Sequence, residues 1–239
     1  MTIFQAITIL ILLAIIYILY TRKVWFYRDP NHSGIVQDDG VLLSPVYGIV
    51  AYVKRVENGI VVSEKKGDVI HIEEITKVDW PDEVEAGTGW LIGIAMTTLD
   101  VHFQYSPLPC NVQSFEHYQT GKNLPMFDLW EYIQITWFRR FVQLWCKAYL
   151  LENERQTFWL NGKRVKVALI LIADKFVDKI TTFVGFGDSV SAGDKLSFIS
   201  RGSQVDLLVC GCDNLEVLVK PGDRAFGPLT KIARLPEVP

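Results

Sequence analysis

The chain has 239 residues, 49% of them hydrophobic, enough apolar material for one core plus a membrane element. Its 24 basic and 27 acidic residues leave a formal charge of −3, so no global positive field argues for a nucleic-acid partner. Cys210 and Cys212 flank one glycine, but no second Cys/His pair lies beside them in sequence, so reduced thiols in a strand outweigh a metal or redox site, and Cys110 and Cys146 are read as free thiols too.

From Ile3 to Tyr20 no residue is charged. A helix of that length, at ~1.5 Å per residue, reaches about 27 Å, against a hydrocarbon core of roughly 30 Å. No basic residue precedes the run and no small-x-small site follows it, which disfavours a cleaved signal peptide. Arg22, Lys23 and Arg28 come next, so the positive-inside bias predicts a single-pass protein of the cell inner membrane with everything after Tyr20 in the cytoplasm. Residues 1–24 are thus read as an anchor and residues 25–239 as one domain.

Strand-like runs follow at Gly48 to Val53, Asn58 to Val62 and Val69 to Ile72, and Asn58-Gly59 predicts a tight hairpin because both residues tolerate positive φ. From Leu129 to Leu151, apolar and aromatic residues recur at three- and four-residue steps, which predicts one helix, either packed in the core or lying at a lipid interface through Trp130, Trp137 and Trp145. Gly187-Asp188 to Ile199 and Gly222-Asp223 to Ile232 repeat one pattern, a Gly-Asp turn, a second glycine and a closing apolar strand. The reading is α+β, β-rich, with a transmembrane helix ahead of the domain. The repeat resembles the hairpins of lipoyl and biotinyl carrier domains, without a lysine in the exposed turn.

Five segments carry more specific information in chain order: Trp25-Phe26-Tyr27-Arg28-Asp29-Pro30, Leu43-Ser44-Pro45-Val46-Tyr47-Gly48, Thr98-Leu99-Asp100-Val101-His102, Asn153-Glu154-Arg155 and Gly202-Ser203-Gln204-Val205-Asp206-Leu207. Each is weak alone. Together they resemble the phosphatidylserine decarboxylase family in its shorter, archaeal-type branch. Decarboxylating an α-amino acid needs an electron sink that no side chain provides. The resemblance implies that the Gly202-Ser203 bond cleaves itself: Ser203 Oγ attacks the Gly202 carbonyl, elimination and hydrolysis release ammonia, and a covalent pyruvoyl group remains at position 203. It further implies a small and a large subunit from one precursor, a phospholipid substrate at the membrane, condensation of the substrate amine with that group, and loss of CO2. His102 would then be the proton donor, with Asp100 in the same motif.

Three positions depart from the family pattern. Tyr47 stands where the family carries an aspartate, and a phenol with a pKa near ~10 is a poorer base than a carboxylate. Tyr105 stands where some members carry a second histidine, and Gln204 where threonine or arginine is usual. Two readings follow: a pyruvoyl-dependent enzyme making phosphatidylethanolamine, or an uncleaved, catalytically silent homologue serving as a lipid-binding or scaffolding protein. The exact headgroup and any homo-oligomer stay open.

Overall fold

The computed structural model describes residues 3–62, 69–78, 87–175, 180–200 and 203–237. Helix α1 (Ile3–Tyr20) buries none of its side chains and runs on into one π-helical turn, Thr21–Trp25. Among the described residues it is the one helix long and apolar enough to cross a bilayer.

The remainder is β-rich, with a few short helices. In chain order come β1 (Val41–Leu43), β2 (Gly48–Glu57), β3 (Ile60–Val62), β4 (Val69–His71), α2 (Ile72–Thr76), β5 (Gly89–Met96), β6 (Phe103–Tyr105), β7 (Cys110–Tyr118), α3 (Leu129–Thr136) and α4 (Tyr149–Glu152). Then follow β8 (Arg155–Gly162), β9 (Lys166–Ala173), β10 (Ile180–Thr182), β11 (Ser189–Val190), β12 (Lys195–Ile199), β13 (Ser203–Cys210), β14 (Glu216–Val217), β15 (Arg224–Ala225) and β16 (Lys231–Arg234).

A ten-stranded sheet forms the body, in the order β11-β7-β8-β9-β13-β5-β2-β3-β4, with β15 also on β2. At its centre β13 runs antiparallel to both neighbours, Ser203 lying opposite Met96 on β5 and Ala173 on β9. The strand is buried along its whole length, with Ser203, Gln204 and Asp206 as its polar residues among apolar ones. Val205, Leu207 and Val209 enter one core with Ile94, Leu171 and Ile232, whereas Leu208 and Cys210 enter a second with Ile75, Leu144 and Tyr149. Two three-stranded sheets, β1-β16-β14 and β10-β12-β6, complete the fold.

Local sequence signals account for the turns. Asn58 and Gly59, at φ 53° and 71°, join β2 to β3 as the two-residue hairpin predicted. The Gly-Asp repeat is one device used three times: Asp188 accepts from the Gly185 amide at 2.7 Å, Asp194 from the Ser191 amide at 2.7 Å, and Asp223 from the Lys220 amide at 2.9 Å. In each turn the carboxylate satisfies a backbone donor three residues upstream. Cys210 closes β13, but Cys212 lies beyond Gly211, whose φ of 64° turns the chain, so the two thiols do not share a strand; none of the four cysteines is in a disulfide.

The single helix expected over Leu129 to Leu151 does not form. Asp128 caps α3 in a reciprocal capping box with Glu131, but the chain leaves the helix after Thr136 and passes through left-handed conformations at Arg139 and Cys146. Apolar side chains here point two ways, and a regular helix cannot serve both. Trp145 is 5% exposed and packs in the second core with Val142 and Leu144, whereas Trp130 and Trp137 are 62% and 63% exposed.

Candidate active site

Where β5 ends, Asp100 builds a tight turn. Its Oδ2 accepts from the Thr97 amide at 2.8 Å and from Thr97 Oγ1 at 2.7 Å, and Arg139 Nη1 lies 3.2 Å from Oδ1. The carboxylate therefore organises the turn and draws in Arg139, while the backbone carbonyl of Asp100 meets His102 Nδ1 at 2.8 Å. A carbonyl can only accept, so Nδ1 carries the proton and Nε2 of the neutral ring is an acceptor. Phe26 stands edge-on to this ring at 4.7 Å, and burial pulls the His102 pKa down to about 4. At neutral pH the imidazole rests uncharged.

Ser203 is fully buried at the first position of β13, its Oγ 3.3 Å from Met96 Sδ. Thioether sulfur is a weak acceptor, so the hydroxyl is only lightly held. The other half of the expected cleavage site, Gly202, lies outside the described residues. Ser203 and His102 share one end of the sheet, because the Ile199 amide at the end of β12 donates to the His102 carbonyl at 3.1 Å, four residues before Ser203.

Tyr47 occupies the β1–β2 loop, its hydroxyl 2.7 Å from His32 Nε2 and its ring edge-on to Phe226. Tyr105 lies close by, its amide donating to the Pro45 carbonyl at 2.8 Å and its ring edge-on to His32 at 5.1 Å. Arg28 reaches across to the Leu99 carbonyl at 2.5 Å and so ties the segment after α1 to the Asp100 turn. Ser203, His102, Asp100 and Tyr47 thus gather at one end of the sheet. Sequence reasoning did not find Arg139, Met96 or His32, which come from distant segments and carry no local pattern.

A cavity of about 500 Å³ opens from this end. Met96 and Phe26 form its inner wall; Tyr17 and Ile18 of α1, Thr21 of the turn after it and Trp137 form its outer one. The methionine touching Ser203 therefore also lines a space bordered by α1.

The sequence model for "Phosphatidylserine decarboxylase" matches residues 19–231. The chain is an enzyme of the phosphatidylserine decarboxylase family. It is 28% identical over 217 residues to a phosphatidylserine decarboxylase proenzyme of Symbiobacterium thermophilum, covering 90% of this chain and 79% of that one. To a putative archaetidylserine decarboxylase proenzyme of Methanocaldococcus jannaschii it is 26% identical, covering 88% of each chain. To a phosphatidylserine decarboxylase proenzyme of Rhodococcus erythropolis it is 30% identical over 181 residues, covering 74% and 66%.

Two of the motifs that resemble this decarboxylase family are structural. Asn153 bonds the Leu124 amide and carbonyl and the Ala173 carbonyl, while the fully buried Arg155 donates to the carbonyls of Asn153, Leu150 and Ile75. On the face of β13 away from Ser203, Gln204 and Asp206 join Tyr52 and Tyr149 in a closed network: Tyr52 donates to Asp206 at 2.5 Å, Gln204 to Asp206 at 2.7 Å and Tyr149 to Gln204 at 2.6 Å. Burial raises the Asp206 pKa to about 7 against the pull of these bonds and of Arg155. Among the described residues no group of His, Cys, Asp and Glu is placed to hold a metal.

Proposed function

We propose that the chain is a membrane-anchored, pyruvoyl-dependent decarboxylase that converts phosphatidylserine to phosphatidylethanolamine after cleavage between Gly202 and Ser203. The observation that carries this reading is the placement of Ser203, a lightly held buried hydroxyl at the head of the central strand, resting on a methionine that lines a cavity bordered by α1. The serine fits the demand made on it, since among the described residues only a thioether sulfur accepts its proton. A pyruvoyl group formed there supplies the sink for the electrons left when CO2 departs. Residues 1–202 and 203–239 would be the large and small subunits.

His102 is the proton carrier. Its Nε2 first accepts a proton, and because burial makes the resulting imidazolium a strong acid, that proton passes readily to the substrate carbon. Asp100 fixes the ring tautomer through its carbonyl, and Phe26 keeps water from the ring. Trp137 lines the cavity with α1 and is exposed, as are Trp130 and Phe138, so lipid would enter sideways from the cytoplasmic leaflet with these rings at headgroup depth.

Mass measurement of the purified full-length protein tests the reading. A fragment of residues 203–239, absent from Ser203→Ala, is expected; a wild-type chain that stays whole with anionic lipid would sink it. The second reading, an uncleaved lipid-binding homologue, draws on one observation, that Tyr47 bonds His32 where a carboxylate was expected.

A further inference from the structure

The cavity that Met96 shares with α1 is walled mostly by apolar side chains. Among the described residues that line it, Asp174 is the only carboxylate, and no lysine, arginine or histidine joins it. Asp174 follows Ala173, the β9 residue directly opposite Ser203, and so stands at the end of the strand next to the one that Ser203 begins, in a ladder whose strands lie about 4.8 Å apart. Its Oδ1 accepts from the Met126 amide at 2.8 Å, which ties the carboxylate to the segment leading into α3. Most other polar groups of the wall are already engaged: Thr97 Oγ1 with Asp100, and the Thr98 and Tyr132 hydroxyls with each other at 2.5 Å. Thr136 Oγ1, at the end of α3, is buried and has no hydrogen-bond partner among the described residues. A buried hydroxyl is rarely left unpaired, and one whose residue lines a cavity points to a bond made with the occupant.

We propose that Asp174 receives the primary amine of the substrate headgroup, with Thr136 Oγ1 as a second acceptor, and so seats a serine-type phospholipid amine-first in this cavity. The proposal rests on the decarboxylase reading above and adds the group that tells amine-bearing headgroups from other anionic phospholipids. A phosphatidylserine headgroup carries an ammonium, a carboxylate and a phosphodiester. A lone carboxylate in an apolar wall attracts the first and repels the other two, so the amine is the part that comes to rest beside Asp174, one strand from position 203. An ammonium has three N–H donors and no acceptor, which matches a carboxylate and a hydroxyl oxygen that both accept.

The surroundings of Asp174 suit a site completed by an arriving cation. Burial raises its pKa, against the Met126 and Lys175 amides and the charge of Lys175, which favour the anion. Lys175 is exposed, so water screens much of that charge. An ammonium bound from the cavity supplies charge and hydrogen bonds together, the condition under which a half-buried carboxylate is well held. The Met126 amide meanwhile keeps the side chain in place, so binding requires no rearrangement of the end of β9.

The test uses the full-length chain carrying Ser203→Ala, which can neither mature nor turn over. Titration calorimetry follows its binding of dihexanoyl-phosphatidylserine and of the analogue whose headgroup is 3-hydroxypropanoate, identical but for the amine. The amine-bearing lipid is expected to bind about tenfold more tightly or better. Asp174→Asn, whose side-chain oxygen still accepts from the Met126 amide, should abolish that preference by weakening the serine lipid about tenfold, without weakening the analogue and with unchanged Tm. Thr136→Val should weaken the serine lipid about threefold. Should Asp174→Asn fail to fold, Thr136→Val, which exchanges a hydroxyl for a methyl group, decides by weakening the serine lipid alone or not at all. In the protein with Ser203 intact, Asp174→Asn should raise KM about tenfold while the 203–239 fragment forms as in wild type. Equal binding of the two lipids by the Asp174 chain, or equal weakening of both in Asp174→Asn, overturns the subsite. A wild-type chain that never cleaves, with the amine preference intact, overturns the maturation reading and leaves the subsite standing.

Discussion

The two faces of β13 treat polar groups in opposite ways. On one, Gln204 and Asp206 are fully buried and every bond is closed, by Tyr52, Tyr149 and the charge of Arg155. On the other, Ser203 leans on a sulfur, and at the same sheet end the Tyr105 hydroxyl has no partner among the described residues. The contrast separates polarity that holds a fold from polarity kept for chemistry, since burying a polar group is cheap only when its bonds are made.

The largest effect expected is on the Ser203 side. His102→Ala should lower decarboxylation about 10²- to 10⁴-fold while the 203–239 fragment still forms, measured as CO2 release beside intact mass. Unchanged turnover would move His102 to the structural class. Arg155→Met should do the reverse, costing about 3–5 kcal/mol in denaturant melts by stranding three carbonyls and Asp206. A variant of wild-type stability would dissolve the comparison.

A smaller effect sharpens it through pH. The folded state binds the Asp206 proton more tightly than the unfolded state does, so its stabilisation is present below 3.8 and is lost as pH rises to about 7. Wild type should therefore lose Tm relative to Asp206→Asn over that window; a flat difference would mean that Arg155 holds Asp206 as an anion throughout. The smallest stability change, within about 0.5 kcal/mol, belongs to the exposed pair in Trp130→Ser/Trp137→Ser. The same double variant should bind anionic vesicles more weakly in flotation.

Features set by a few adjacent residues were legible in the sequence. Asn58-Gly59 and the Gly-Asp turns fix their own backbone, and the uncharged run from Ile3 to Tyr20 forms the helix it predicts. The segment from Leu129 to Leu151 misled because helical periodicity counts apolar residues without saying which neighbours claim them. Arg139 is drawn to Asp100, and Trp145 to the core, from opposite sides of a helix that therefore breaks. The motifs supplied the candidate residues that the fold brings to one sheet end, but the His32–Tyr47 contact joins two irregular segments, where no spacing rule applies. Asn153 and Arg155 marked the family in sequence with no role attached, and in the fold they bind backbone carbonyls.

The position of Ser203 at the head of a strand clamped between β5 and β9 has a consequence for the life history of the molecule. Should the bond before it open, the 37-residue tail would stay woven into the sheet through β13 and into the smaller sheet through β16, so the cut would be invisible to the native architecture. It would surface only on unfolding. The pieces would then have to find one another by diffusion, and a reaction that was once internal to a single chain would depend on concentration. Maturation would thus be a ratchet: the protein folds as one molecule, and once melted as two it has no unimolecular way back.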